Sequence, residues 1–267
     1  MASVESFWRI GHNITGHDVE GSLSVGHRKF RAFFGTSPAV CVVAWDLLAD
    51  VRPNNSKPNH LLWALMLLKR YCIESFNAAL VKVTEKTFRK WSLLFVDLLA
   101  DMPVLNWDNR YGRARRGTIT YISLDGTDFR IMEPSEFSPK WYSHKFHGPG
   151  LRYELGLCIR TGEIVWAHGG LPCGAWPDLR LARDAIIHVL DPGERIIADR
   201  GYRDQTFFDM PNGSEDDEQK RKILARHQTV NRRIKQFCCM SQRFRHSLNL
   251  HPRFFHAVTN LTELMIE

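Results

Sequence analysis

Two aspartates, each placed where a short apolar run ends, constrain this chain more than any other feature. Asp125 lies in Tyr-Ile-Ser-Leu-Asp-Gly-Thr-Asp-Phe (121–129), and Asp199 follows Arg-Ile-Ile-Ala (195–198). Apolar runs of this length predict buried strands. A carboxylate at a strand end is held at the rim of a sheet, and two such carboxylates brought together form a site for a hard divalent cation.

The segments around these two runs predict the fold. In chain order they are a strand, a hairpin, a helix, a strand and two helical regions: Thr118–Phe129, Tyr153–Arg160 with Glu163–His168, Pro177–Leu190, Glu194–Ala198, and the regions from Ile223 and from Phe254. This order predicts an α/β domain, an RNase H-like mixed sheet flanked by helices. In such a core the first and fourth strands are neighbours, so Asp125 and Asp199 are expected to face each other.

The residues before this domain are predicted to be helical. We expect a flexible arm over 1–28, an all-α region over 29–112, and the RNase H-like domain over 113–267 with a polar insertion near 204–222. Within the helical region, a helix over Lys29–Asp50 and another over His60–Tyr71 precede Ile73–Leu80. A polar, basic linker is expected over Asn106–Gly117.

A helix-turn-helix is predicted inside the helical region. The short helix 73–80 is followed by a tight connector and then by a helix with Thr84 as its N-cap. Its first turns carry Lys86, Arg89 and Lys90, which are expected to contact DNA. The alternative is a three-helix packing unit without any contact to a DNA groove.

The distribution of charge favours a polyanionic partner. The chain carries a formal net charge of +7, and Lys220–Arg245 contains nine basic residues and no acid. Such a stretch suits a phosphate backbone better than a solvated helix face, because solvated faces usually mix both signs. The short basic clusters Arg113–Arg116 and Lys220–Lys222 favour a nuclear location. His144, Lys145 and His147 form a second candidate DNA contact.

Other classes of protein are disfavoured. The six cysteines are scattered without a Cys-x-x-Cys pair, so the pattern indicates reduced thiols in an intracellular protein rather than a zinc site or disulfide framework. The longest apolar run, Leu61–Leu68, is too short to span a bilayer, and no membrane association is expected. The N-terminus lacks the layout of a secretion signal.

Four strings of residues resemble one known family. They are Leu-Asp-Gly-Thr-Asp-Phe (124–129), Gly-Ala-Trp-Pro-Asp (174–178), Ala-Asp-Arg-Gly-Tyr (198–202) and Arg-His-Gln-Thr-Val-Asn-Arg-Arg-Ile-Lys-Gln-Phe (226–237). Together they resemble DDE superfamily transposases, of the Harbinger (PIF) type and its bacterial insertion-sequence relatives. The resemblance covers about Thr118 to the C-terminus, and the preceding helical segment is similar to that family's DNA-binding region.

The resemblance implies a two-metal site for Mg²⁺ or Mn²⁺. Asp125 would be the first metal ligand and Asp199 the second, while the third acid would be a Glu where this chain has Gln228. A glutamine amide brings no negative charge, so the second ion would bind more weakly. Glu218 lies nearly three helical turns upstream and is a poor substitute. Asp178 is a better reserve, although a role as a helix N-cap or first-turn acid explains it at least as well.

The helix that carries Gln228 also carries a group of polar and basic residues. They are predicted to hold DNA phosphates beside the metal site: Arg226, Asn231, Arg232 and Lys235. The expected activity is metal-dependent hydrolysis of a DNA strand and joining of the freed 3′-hydroxyl to target DNA, impaired by Gln228.

The resemblance further implies a Myb-like partner protein, a homo-oligomer, and a nuclear location in a eukaryote (otherwise cytoplasmic). Two alternatives stay open. One is a domesticated, catalytically inactive relative that binds DNA or protein. The other is a structure-directed nuclease unrelated to transposition.

Overall fold

A group of helices and a mixed β-sheet form the two units into which this chain divides. The computed structural model describes residues 2–16, 23–115, 117–136, 138–211 and 217–266. The first unit comprises Met1–Val104, Ile234–Gln242 and Asn249–Glu267, and the second comprises Leu105–Arg233 and Arg243–Leu248. In the described ranges, no helix is long and apolar enough to cross a membrane.

The first unit is helical. Its helices are α1 (Val4–Thr15), α2 (Leu23–Phe34), α3 (Pro38–Leu47), α4 (Pro58–Arg70), α5 (Glu74–Leu80), α6 (Glu85–Ala100), α9 (Cys238–Ser241) and α10 (His251–Glu263). Helix α4 is buried along nearly its whole length, which explains its run of apolar residues. The predicted helices over 60–71 and 73–80, and the connector that follows them, are confirmed.

The prediction of a flexible arm over 1–28 is wrong at its start, because Val4–Thr15 forms helix α1. The Ser3 side chain caps the helix by accepting a hydrogen bond from the Ser6 backbone N–H at 3.1 Å. Phe7 and Trp8 are buried, so this short helix is held mainly by packing. Residues 17–22 of the predicted arm lie outside the described ranges.

The single helix predicted over 29–50 is in fact two helices. Gly35 ends α2 in the left-handed region at φ 82, and a side chain there would clash with the ring of Phe237. Ser37 then caps α3 by accepting a hydrogen bond from the Val40 N–H at 3.3 Å, and Pro38 occupies the first helical position. A capped new helix therefore begins directly after the break.

Helix α6 begins as predicted, because Thr84 Oγ1 accepts a hydrogen bond from the Thr87 N–H at 3.2 Å. Its later turns contact α10, which the sequence placed in the RNase H-like domain. Arg253 Nε donates to Asp97 Oδ1 at 2.9 Å, and Asn260 Nδ2 donates to the Leu99 carbonyl at 2.8 Å. These contacts place the C-terminal helix in the helical unit.

The second unit is built on a six-stranded sheet. Its strands are β1 (Thr120–Arg130), β2 (Tyr142–Ser143), β3 (Gly148–Cys158), β4 (Ile164–Pro172), β5 (Arg195–Ala198) and β6 (Phe208–Asp209). Strand β3 pairs antiparallel with β1, β2 and β4, while β5 pairs parallel with both β1 and β6. The predicted α/β class, with an RNase H-like mixed sheet and neighbouring first and fourth core strands, is confirmed.

Helices α7 (Asp178–Asp184) and α8 (Asp217–Lys235) accompany this sheet. The helix predicted over 177–190 is shorter than expected, because the backbone leaves the helical region at Ala185 and continues as a 3₁₀ turn over Ile186–Val189. The insertion predicted near 204–222 contains β6 and the start of α8, and its residues 212–216 lie outside the described ranges.

The predicted linker over 106–117 is corrected in its first half. Trp107–Tyr111 forms a 3₁₀ helix in which Arg110 is buried. Arg110 Nε lies 3.2 Å from Glu194 Oε1, and Glu194 also accepts a hydrogen bond from the Asp191 N–H at 2.9 Å. Because Glu194 directly precedes β5, this ion pair fixes the start of the strand that leads to Asp199.

Candidate active site

The two aspartates predicted to meet are brought together by the pairing of β1 and β5. Ser123 pairs with Ile197 and Leu124 with Ala198, in parallel register. Continuing this register by one residue sets Asp125 beside Asp199, and neighbouring strands lie about 4.8 Å apart. Asp199 directly follows β5, as predicted, whereas the prediction that Asp125 ends a strand is wrong, because β1 continues to Arg130 through its pairing with β3. Asp125 instead lies where the pairing of β1 with β5 ends, and it is half-buried while Asp199 is exposed.

Asp125 lies in an electrostatically acidic environment. Burial raises the pKa of Asp125 to about 6, with further increases from Asp199 and Asp178 and an opposing effect from Lys145. The Lys145 ammonium donates to the Gly126 carbonyl at 2.6 Å. Lys145 compensates some of the negative charge of these carboxylates, and a bound cation would compensate more of it.

Helix α8 contacts β1 through two side chains. Ser123 Oγ lies 2.9 Å from His227 Nε2, and Asn231 Nδ2 donates to Asp125 Oδ2 at 3.1 Å. Asn231 was predicted to bind phosphate, and in the structure it orients the first metal-ligand candidate. Gln228, predicted to replace the third acid, is exposed on the same helix, one turn before Asn231.

Asp178 begins α7, and its carboxylate lies against Gly126 of β1. Burial raises the pKa of Asp178, while Lys145 and Arg152 lower it. The first-turn part of the alternative role is confirmed, because Asp178 is the acid in the first turn of α7, while Pro177 occupies the N-cap position without a side-chain cap. The Asp178 carboxylate also raises the pKa of Asp125, so it lies close enough to act on the candidate site.

The other predicted DNA contacts lie on exposed helical surfaces. In the helical unit, Lys86 is exposed, Arg89 pairs with Glu74, and the Lys90 ammonium lies 5.3 Å from the Trp91 ring centroid. In α8 and its continuation, Arg232 and Lys235 are exposed. The prediction that these residues contact DNA stays a prediction.

Two basic segments singled out in the sequence line one cleft of about 480 Å³. Arg113 and Arg115 come from the segment before β1, and Lys222 and Arg226 come from α8, together with Arg160. The Arg226 guanidinium donates a hydrogen bond to the Ile159 carbonyl. This bond holds the end of the Arg226 side chain, which remains exposed. We call this surface the basic cleft.

Sequence reasoning missed a buried ion pair beneath the site. Arg152 donates to Asp128 through Nε at 2.8 Å and through Nη2 at 2.9 Å, and these bonds hold the pKa of Asp128 below its usual value despite burial. The alternation of strand residues is a signal that could have found it. Asp128 lies an odd number of residues from Asp125, so it points to the opposite face and needs its own partner.

Glu154 is the second acid that the sequence did not single out. It is fully buried in β3 opposite Gly126, and Trp166 Nε1 donates to its Oε1 at 2.9 Å. Burial raises the pKa of Glu154 from 4.5 to about 8. The folded protein therefore keeps a proton on Glu154 that the unfolded chain releases, so stability falls as pH rises through this window.

We expect Glu154→Gln to flatten this part of the stability profile, because glutamine has no proton to release. At the upper end of the window the variant should be more stable than the native chain by a few kcal/mol, given ~1.4 kcal/mol per pKa unit. Urea denaturation of both proteins at about pH 5 and about pH 8 measures the difference. An equal loss of stability in both proteins would show that Glu154 does not cause it.

The donor set suits a hard divalent cation. Asp125, Asp178 and Asp199 supply carboxylate oxygens, and the Asn231 amide oxygen is buried without a hydrogen-bond partner among the described residues. In those residues, no three His, Cys, Asp or Glu side chains stand in the arrangement of a formed metal site. To hold one cation together, these carboxylates would have to lie closer to one another than they do in this structure.

The family comparison agrees with this geometry. The chain matches the family model described as DDE superfamily endonuclease over residues 124–263, slightly more than half of its length. The comparisons with curated proteins and with solved structures found no significant match. The matched segment begins one residue before Asp125 and includes Asp178, Asp199 and Gln228. The chain belongs to the family of DDE superfamily endonucleases.

Proposed function

We propose that this protein is a metal-dependent DNA endonuclease in which Asp125 and Asp199 hold the cation. The observation that supports this most directly is the parallel pairing of β1 and β5, whose register ends at Leu124 and Ala198, the residues directly before the two aspartates. Membership of an endonuclease family supports the same conclusion. A divalent cation such as Mg²⁺ or Mn²⁺, when bound there, polarises a phosphodiester and lowers the pKa of a water molecule.

The protein's own residues orient and neutralise the site. Asn231 fixes one oxygen of Asp125 by hydrogen bonding, which leaves the other oxygen available as a ligand. Lys145 is anchored on the Gly126 carbonyl, so its positive charge stays near the position of a substrate phosphate. Both residues act by position and need no proton transfer.

The basic surface of the sheet unit supports DNA as the substrate. The basic cleft presents five cations, and a second cleft of about 490 Å³ is lined by Arg195, which begins β5, and by Arg200 and Arg203, which follow Asp199. Clustered arginines suit phosphates because each guanidinium can donate two hydrogen bonds to one group.

We propose strand transfer as a second step of the reaction. The released 3′-hydroxyl attacks the phosphorus of another phosphodiester, and the bridging oxygen of that phosphodiester leaves.

A catalytically weakened DNA-binding protein is the second candidate function. It is favoured by one observation, because α8 carries Gln228, an amide, at the position where the resemblance implies a carboxylate. Without that negative charge, a second cation binds weakly. The basic surfaces would then serve DNA binding alone.

A nicking assay on supercoiled plasmid with Mn²⁺ tests the proposed function. We expect slow nicking by the native chain and at least about tenfold faster nicking by Gln228→Glu, which restores a carboxylate worth more than about 1.4 kcal/mol in the transition state. The matched control is Glu218→Gln, an exposed acid of the same helix that pairs only with Lys222 in the described structure. It should nick at the native rate.

The outcomes separate the two candidates. Nicking that rises with Gln228→Glu supports an enzyme with a weakened site. Retained DNA binding without nicking in either protein supports the binding function and contradicts the endonuclease.

A further inference from the structure

We propose that Asp178 is the third carboxylate ligand of the divalent cation, supplied by α7 in place of an acid on α8. This inference rests on the proposed function, because it concerns the same cation. It assigns a metal-binding role to the residue that begins α7, and it explains how a chain with Gln228 can still bind metal. Four observations lead to it.

The first observation is the position of the Asp178 carboxylate against Gly126 of β1. A side chain at Gly126 would clash with Asp178 Oδ1, so the carboxylate occupies the space that any other residue at 126 would fill. Gly126 follows Asp125 directly. Successive strand residues point to opposite faces, so Asp178 reaches β1 from the face opposite the Asp125 side chain, and glycine at 126 makes this approach possible.

The second observation is the space beside Gly201, two residues after Asp199. The position that a Cβ atom of Gly201 would occupy lies 2.9 Å from Asp199 Oδ1 and 3.5 Å from Asp178 Oδ2. Both carboxylates therefore border one small volume at the end of β5. Two like charges converge on such a volume at a high electrostatic cost unless a cation lies between them.

The third observation is that the two oxygens of the Asp178 carboxylate have different neighbours. Its Oδ1 faces inward, 3.3 Å from Arg152 Nε, although the geometry is not that of a hydrogen bond. Arg152 is itself held by Asp128 and by the Trp176 carbonyl at 3.1 Å. One oxygen is thus fixed by a buried cation, while Oδ2 faces Asp199. This arrangement orients a ligand before the metal binds.

The fourth observation is a pair of buried polar atoms next to Asp178. Glu154 lies opposite Gly126 in the sheet, so its side chain neighbours the Asp178 carboxylate. Among the described residues, Glu154 Oε2 and the hydroxyl of the buried Tyr202 have no hydrogen-bond partner. Unpaired buried polar atoms around a carboxylate indicate a site that binds water or an ion.

Titration of the full-length chain with Mn²⁺, followed by calorimetry and by the electron paramagnetic resonance of free Mn²⁺, tests this proposal. We expect Asp178→Asn to weaken Mn²⁺ binding by about tenfold or more, as loss of a charged ligand should. Asp184→Asn, which removes the same charge from an exposed position on the same helix, should bind within about twofold of the native chain.

A second variant perturbs the site without changing its charge. Gly201→Ala inserts a methyl group between the Asp178 and Asp199 carboxylates, and it should also weaken Mn²⁺ binding. Gly148→Ala is the matched control, because a Cβ atom there meets no atom within 4 Å. Thermal unfolding without metal checks that each variant is folded.

The results distinguish this proposal from the proposed function. If Asp178→Asn and Gly201→Ala bind Mn²⁺ like the native chain while Asp199→Asn does not bind it, Asp178 is not a ligand and the endonuclease site stands. If the native chain itself binds no Mn²⁺, both the proposed function and the role of Asp178 are wrong. Loss of binding in both variants, with the two controls intact, establishes the third ligand.

Discussion

Asp125→Asn should reduce Mn²⁺-dependent nicking of supercoiled DNA by about a thousandfold or more, which corresponds to about 4 kcal/mol of transition-state stabilisation. The change keeps the shape of the side chain but removes the charge of the first ligand candidate. It also leaves an amide facing Asn231, which now donates to Asp125 Oδ2. The folded structure should survive, because burial and then the carboxylates of Asp199 and Asp178 raise the pKa of Asp125 and so disfavour its charged form.

The measurement is the nicking rate of Gln228→Glu with and without Asp125→Asn, since the restored carboxylate gives a larger signal. Exposed Asp108→Asn serves as a control for the loss of one acid from the same unit. Unchanged nicking in the Asp125 variant would mean that another group, or a contaminating nuclease, cuts the DNA.

Glu194→Ala should lower the free energy of unfolding by about 3–5 kcal/mol, as expected when one partner of a buried ion pair is removed. Arg110 and Glu194 are both almost fully buried, and the remaining Asp108 and Asp191 lie 3.6 and 3.7 Å from Arg110. The Arg110 guanidinium would then be left without its closest carboxylate. Urea denaturation measures the change.

A matched exposed pair provides the control for this prediction. Glu218 pairs with Lys222 at 2.7 Å on the surface of α8, and Glu218→Ala should change stability by less than about 1 kcal/mol. A similar small change in Glu194→Ala would contradict the importance of the buried pair. The pair also matters for the site, because it connects the segment before β1 to the start of β5.

The sheet and the aspartate pair were predictable because their signals are local. Apolar runs of strand length ended at Asp125 and Asp199, and the order of elements limited the topology. Thr161-Gly162 marked the hairpin, and Gly162 has the expected left-handed backbone at φ 83. For these elements, periodicity and turn residues agree with the tertiary structure.

The errors have a common physical cause, which is burial that local sequence does not show. Phe7 and Trp8 of α1 are buried in part by contacts with Trp45 and Phe30 of other helices, which a segment rich in Gly, His and Ser did not predict. The contacts of Arg253 and Asn260 join α10 to α6 across more than half of the chain. The polar segment around Arg110 gave no sign that the Arg110 side chain would be buried in an ion pair with Glu194.

The candidate site was predicted in part. Asp125 and Asp199 followed from the ends of apolar runs, whereas the position of Asp178 depends on the space left by Gly126 and by Gly201. A glycine in a strand reports a close approach, but it does not identify the approaching group. Asn231 was recognised as a polar residue on the correct helix face, although only the structure shows its bond to Asp125.

A double-mutant cycle on Mn²⁺ affinity tests most directly whether Asp125 and Asp199 hold the same cation. The native chain, Asp125→Asn, Asp199→Asn and the double variant are titrated under the same conditions. We expect each single change to weaken binding by at least about tenfold, and the double change to weaken it by much less than the product of the two. Full additivity, or a single variant that binds Mn²⁺ like the native chain, would contradict a shared metal site.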